Sequence, residues 1–286
     1  MRSFSPIDRV IRLFFLLLSV TINAHDLPGV RAKSFGGAFR AVATANDIIF
    51  YNAAGLLKHR RMGVDAQYLS YLDSGTHSMG ISLLDASTSI WGLGLAYYLD
   101  IENRKVAAHL VDVALAFPIV KELLFLGGSF YYRYSALEFE DPHRHFFNMD
   151  VSIMACLPMG LSFAVALDHV IRPKGREKGM GLAVATALDL GSVWRGLPLT
   201  LSVDWLMDDV TSKDNLHHML SFGSEYILFN VLPLRLGFKS KFWQRDNLIS
   251  LGSGLLIADF AVDALFEQHL TIGKIRNFGI ALRFNF

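Results

Sequence analysis

The sequence predicts an all-β fold, a transmembrane antiparallel β-barrel of about 14 strands, and three observations predict it. Hydrophobic residues make up 52% of the chain and charged residues 19%, which is apolar for a soluble protein. Beyond residue 24 no run of about 18 apolar residues occurs, so no membrane-spanning helix is encoded. A large soluble α/β core could reconcile these two facts, and so could a barrel, whose apolar residues fall at every second position. From residue 61 onward the chain does alternate in this way, and the gaps between alternating runs are short and long by turns.

Residues 1–24 have the plan of a secretory signal peptide. Arg2, Arg9 and Arg12 form a basic start, Leu13 to Val20 a short apolar stretch, and Ile22-Asn23-Ala24 a cleavage site ending on a small residue. The mature chain would begin at His25. Losing three Arg and one Asp takes the formal charge from +1 to −1. A nearly neutral chain is a poor nucleic-acid binder. The single cysteine, Cys156, rules out an intrachain disulfide framework despite export.

Residues 25–58 differ in character and are long enough to plug a lumen. Within them, residues 36–56 read GGAFRAVATANDIIFYNAAGL, apolar and without lysine. Gly36-Gly37 allows close approach of backbone to a neighbour. Asp47 is expected to cap a short helix over Ile48, Ile49 and Phe50, with Gly55 as a left-handed stop. A phosphate-binding loop is the rival for a glycine-rich start, but no Gly-Lys-Ser/Thr follows and no strand precedes.

Residues 59–286 form the barrel. Strands are expected near 61–72, 77–84, 89–100, 106–117, 122–135, 145–157, 160–170, 179–190, 196–206, 215–228, 232–243, 247–256, 259–267 and 275–286. Arg276 to Phe286 shows the pattern best. Phe278, Ile280, Leu282, Phe284 and Phe286 share one face, and Asn277, Gly279, Ala281, Arg283 and Asn285 the other. If the first strand rises from the periplasm, the periplasmic gaps are DAST, IVKE, PM, GSVWR, FNV and IA. The outer gaps include ENRK, ALEFEDPHR, IRPKGREK, LMDDVTSKDN and EQHLTIGK. Short inner turns and longer outer loops are the asymmetry of such barrels. A soluble β-sandwich would also alternate, but it needs neither strands of this length nor aromatic residues at their ends. Trp91, Tyr97, Phe117, Tyr132, Tyr134, Trp205, Tyr226 and Phe286 lie on apolar faces near the expected interfaces.

Alternation turns Asp112, Asp150, Asp168, Asp189, Asp204, Glu225, Arg133, Arg235, Lys239, Lys241 and Arg283 inward. A central Arg or Lys facing lipid would cost about 2–4 kcal/mol. The turn near Phe229–Val231 sets Glu225 opposite Arg235, and a cross-strand ion pair is predicted. His77, His109, His143, His145, His169, His217, His218 and His269 fall near the outer rim. They could bind metal weakly or sense pH, but no spacing completes a metal site, and a polar rim suffices to explain them. Ser74 and Ser212 are available at that rim, yet no triad spacing or Gly-x-Ser-x-Gly motif is present. No catalytic residue, metal or cofactor is therefore expected.

The ends of the chain resemble known sequences. FGIALRFNF, ending on Phe286, is similar to the C-terminal strand read by the barrel assembly machinery of Gram-negative outer membranes. Gly36-Gly37-Ala38-Phe39, Asn46-Asp47 and Phe50-Tyr51-Asn52-Ala53-Ala54-Gly55-Leu56 resemble the N-terminal motif of the FadL-like outer-membrane barrel superfamily, especially its PorV/PorQ branch. Ala53 stands where that family usually has proline, and Asn46 where it often has aspartate. EYILFNVLPLRLGFKS and LGSGLLIADFAVDALF are similar to that branch's last strands. The resemblance implies a Gram-negative outer-membrane location and makes residues 25–58 a hatch segment, marked by Gly36, Gly37, Phe39, Asp47, Phe50, Asn52 and Gly55. It implies passage of small hydrophobic molecules, along a route lined by Phe39, Ile48, Ile49, Phe50 and Tyr51, or a non-transporting partnership with secretion-system proteins. The short, polar outer loops favour the second.

Overall fold

The computed structural model describes residues 28–135, 145–171, 180–194, 196–210, 216–242, 246–271 and 276–286. The expected signal peptide lies outside these residues, as do His143 and Ser212.

Strands β1 (Met62–Tyr71), β2 (Thr76–Asp85), β3 (Gly92–Glu102), β4 (Lys105–Val120), β5 (Leu124–Ser135), β6 (His145–Cys156) and β7 (Leu161–Asp168) form half of one sheet. It continues through β8 (Gly181–Asp189), β9 (Leu199–Asp208), β10 (His217–Leu228), β11 (Leu232–Lys241), β12 (Asp246–Ile257), β13 (Phe260–His269) and β14 (Arg276–Asn285). Each strand pairs antiparallel with its sequence neighbours, and β1 pairs with β14 to close the barrel. Closure leaves no unpaired edge, which a bilayer requires. No helix among the described residues is long and apolar enough to cross a membrane.

The period-two pattern sorts the side chains as expected. On β14, Phe278, Ile280, Leu282 and Phe284 are exposed on the outside, while Asn277, Gly279, Ala281 and Arg283 are buried on the inside. The exterior is an apolar belt that includes Ile81, Leu95, Val111, Phe130, Val184, Leu201, Leu236, Leu251 and Ile280. Water could not stabilise such a surface, and a bilayer does.

Several boundaries differ from the sequence expectation. Residues of ENRK, expected as an outer loop, form a two-residue turn, Asn103–Arg104, with both φ angles positive (50° and 63°). β4 runs past Phe117 to Val120, because Pro118 sits at a register shift where its missing N–H is tolerated. β9 starts at Leu199 rather than 196. Asp189 accepts from Gly191 N and Ser192 Oγ, so it caps the turn that follows it, Leu190–Ser192, instead of lining the lumen.

The core lies inside the barrel. Two short helices, α1 (Val30–Ser34) and α2 (Ile48–Tyr51), and a 3-10 turn (Ala53–Leu57) fill it. Phe35, Phe39, Ile48, Ile49 and Leu56 are fully buried there.

Candidate functional site: a plugged lumen

The segment from residue 28 to 58 forms a plug, and the wall is shaped to receive it. Inward positions on the strands carry glycine or alanine where the plug presses closest. A Cβ on Gly127 would lie 2.0 Å from Ala54 N, and one on Gly237 would lie 2.0 Å from Gly36 N. Gly36 itself has φ +65°, and its own Cβ would meet Phe238 N at 2.6 Å. Backbone packs on backbone at these points, which any side chain would prevent. Along β8, Ala183, Ala185 and Ala187 keep the same space open.

Polar contacts fasten the plug on two sides. Towards β10–β14, Arg31 Nη2 donates to both oxygens of Glu225, at 2.8 and 2.9 Å. Glu225 is the cross-strand partner of Arg235, whose Nε donates to it at 2.6 Å. Arg235 Nη1 reaches Asp263 at 2.6 Å, and Arg283 Nη2 lies 3.5 Å from the same carboxylate. Lys33 Nζ lies 3.8 Å from Glu267, which also accepts from Ser250 and Asn277. Towards β7–β9, Arg40 Nη2 donates to Asp168 at 2.7 Å, and its backbone N–H donates to Asp204 at 3.1 Å. The two predicted partners are thus one edge of a larger network. Its plug members Arg31, Lys33 and Arg40, and its wall members Asp263 and Glu267, were not singled out in the sequence. Asp263 and Glu267 could have been found by extending the alternation of β13; the plug cations sit in a segment without a period.

The hatch-motif residues come together inside the barrel, but two act differently from expectation. Asp47 does not cap α2. It is itself helical (φ −52°, ψ −24°), so its side chain turns away from the helix N–H groups. Its carboxylate accepts instead from Ala32 N at 2.8 Å and Gln67 Nε2 at 2.5 Å, joining α1, α2 and β1. Gly55 is no left-handed stop. It lies within the 3-10 turn, where a Cβ would meet Ala43 Cβ and Ile48 Cγ1 at 2.8 Å. Phe39 packs edge-on against Phe35 and Tyr51, and Phe50 against Tyr98. Asn52 Nδ2 donates to Arg40 O at 2.8 Å. At the plug's exit, Lys58 Nζ donates to the carbonyls of Ala41 and Val42, and burial pushes its ammonium down to about 8.

The described histidines do not converge on one site, although His109 and His145 both pack against Tyr134. His77, His109 and His145 pair with Tyr68, Tyr97 and Tyr132 through ring Nδ1, at 2.8, 2.7 and 2.7 Å. His169 meets Tyr131, His218 stacks on Trp205, and His269 is held by Asp246. Among the described residues no three His, Cys, Asp or Glu converge to hold a metal. Ser74 Oγ bonds Tyr71 O and Thr76, and Cys156 is a half-buried free thiol at the end of β6.

No protein-family model matches this chain, and no curated protein does. Solved structures do. A toluene transporter of P. putida, TodX, superposes with a TM-score of 0.59 at 11% identity, over 91% of this chain and 99% of its own. The Acinetobacter baumannii outer membrane protein Omp33 superposes with a TM-score of 0.53 at 12% identity, over 79% of this chain and 98% of its own. At such identities the likeness is one of fold. With the closed sheet and its apolar exterior, it gives the chain the architecture of a Gram-negative outer-membrane barrel.

Proposed function

We propose that the chain is an outer-membrane channel for small hydrophobic molecules, with residues 28–58 as its gate. The observation that carries this reading is the seating of the plug. A segment meant only to stiffen a barrel needs no ionic fastening to both sides of the lumen. Here apolar side chains, Val30, Phe35, Ile49 and Leu56, press on the wall glycines Gly279, Gly223, Gly94 and Gly92, and Arg31, Lys33 and Arg40 pin the segment at separate points. The fold likeness to a toluene transporter supports the same class of cargo. On the lipid side the apolar belt has a depression of about 330 Å³, bordered by Leu201, Val203, Phe222, Leu236 and Phe238. It lies outside Gly223 and Gly237, against whose inner side Phe35 and Gly36 press.

A second reading follows from the resemblance to the PorV/PorQ branch, a non-transporting partner in secretion or surface attachment. The two-residue outer turn at Asn103–Arg104 favours it, since it leaves little structure there to capture a solute. Uptake of a labelled long-chain fatty acid by proteoliposomes separates the two. Uptake altered by deletion of residues 28–58 supports the channel. Equal absence of uptake from both folded proteins overturns it and leaves the partner reading.

A further inference from the structure

We propose that a small cavity between the plug and the β5–β7 wall binds one hard cation of the calcium class. The cavity holds about 10 Å³, the space of a single water or a largely dehydrated ion. Ser129 of β5, Asp150 and Ser152 of β6, and Asp168 of β7 line it from the wall. Asn52 and its neighbours line it from the plug. Its polar side chains are thus carboxylates, hydroxyls and one amide. Asp150 Oδ1 accepts from His169 N at 2.7 Å, and Asp168 Oδ2 from Arg40 Nη2 at 2.7 Å, which leaves the second oxygen of each carboxylate for another partner.

Asn52 is an independent pointer to a ligand. It is 3% exposed, and the bond from Nδ2 to Arg40 O fixes the amide's orientation. Its Oδ1 has no hydrogen-bond partner among the described residues. A buried amide oxygen is rarely left so, and a bound cation satisfies it. The surroundings are acidic as well. Asp112, 3% exposed and with an unpartnered Oδ1, stands beyond Asp150, while Arg40 is shared between Asp168 and Asp204.

The donor set selects the ion. Two carboxylates completed by neutral oxygens suit a hard cation and offer nothing to a thiolate- or imidazole-seeking metal. Magnesium keeps several waters and needs near-octahedral order, for which the cavity lacks room. Calcium accepts irregular protein oxygens. A calcium ion here would bridge Asn52 of the plug to Asp150 and Asp168 of the wall, a third fastening point. The inference rests on how the plug is seated, not on what the barrel carries.

Equilibrium dialysis of radiolabelled Ca²⁺ against the full chain folded in detergent tests it, with resistance to SDS unfolding as the check of fold. Saturable binding of one ion per chain is expected. It is lost in Asp150→Asn and kept in Glu122→Gln, which changes an exposed carboxylate in the β4–β5 turn. Calcium should also raise the melting temperature of the wild type but not of Asp150→Asn. No saturable binding by the folded wild type, or binding that Asp150→Asn leaves unchanged, overturns the inference. Should Asp150→Asn not fold, Ser129→Ala replaces it, with weaker binding expected and unchanged affinity overturning. Binding without fatty-acid uptake would uphold this site while removing the channel reading.

Discussion

Gly237 shows how a single residue decides whether the lumen can be filled. Its missing side chain lets Gly36 N come where a Cβ would stand 2.0 Å away, and both partners are backbone, so neither can yield cheaply. Gly237→Ala should unseat the plug near α1 and destabilise the protein by about 1–3 kcal/mol, the usual penalty for overpacking. Faster proteolysis within residues 28–58, with the barrel intact on a gel, is the expected readout. Glu225 decides the charge balance at the same place. It serves Arg31 of the plug and Arg235 of the wall, each within 2.9 Å. Glu225→Gln leaves two guanidinium groups facing one neutral amide. Breaking a buried pair costs about 3–5 kcal/mol, and a lowered chemical-denaturation midpoint would register it.

At the scale of elements, the strands and the short helix at Ile48 were legible, while the contacts that seat the plug were not, for a physical reason. A strand between lipid and lumen repeats its instruction every second residue, so β14 or β11 can be read from a few positions. The tight turns were harder. Asn103 and Arg104 both adopt positive φ, as a two-residue hairpin turn demands, yet arginine is a poor marker of that geometry. Arg104→Gly should therefore stabilise the β3–β4 hairpin by about 1 kcal/mol, seen as a higher melting temperature. The plug has no period, because it is surrounded by wall on every side. Its helices are too short for a stripe, and its contacts run to residues more than 100 positions away, as Arg40 does to Asp168. The motif resemblance located it, but could not say that Asp47 braces rather than caps. Its last element, Ala53–Leu57, is followed by Lys58, whose folded value of about 8 lies below its ordinary 10.5. Between those values the unfolded chain holds more protons there, so stability due to Lys58 rises with pH across that window and is flat below it. The denaturation midpoint of wild type relative to Lys58→Met should climb between about pH 8 and 10.5.

For the whole molecule, the plug and the wall complement each other in charge, and this predicts what the barrel becomes without its plug. The wall faces inward with Asp65, Asp112, Asp204, Glu225, Asp263 and Glu267, against Arg235, Lys239, Lys241 and Arg283. The plug contributes Arg31, Lys33 and Arg40 to the deficit side. Deleting residues 28–58 removes those cations together with the apolar filling. The wall keeps its closed ladder, and the Glu225–Arg235–Asp263–Arg283 chain remains paired within itself, so the barrel should still fold. What remains is a water-filled lumen with surplus carboxylate. In planar bilayers the deleted protein should conduct where the full chain is closed, and it should prefer cations, because field lines in a narrow low-dielectric pore concentrate the sign of its lining. A reversal potential favouring anions would mean that the inward carboxylates carry protons or bound ions. A deleted chain unable to resist SDS unfolding would mean that the plug is the barrel's core as well as its stopper.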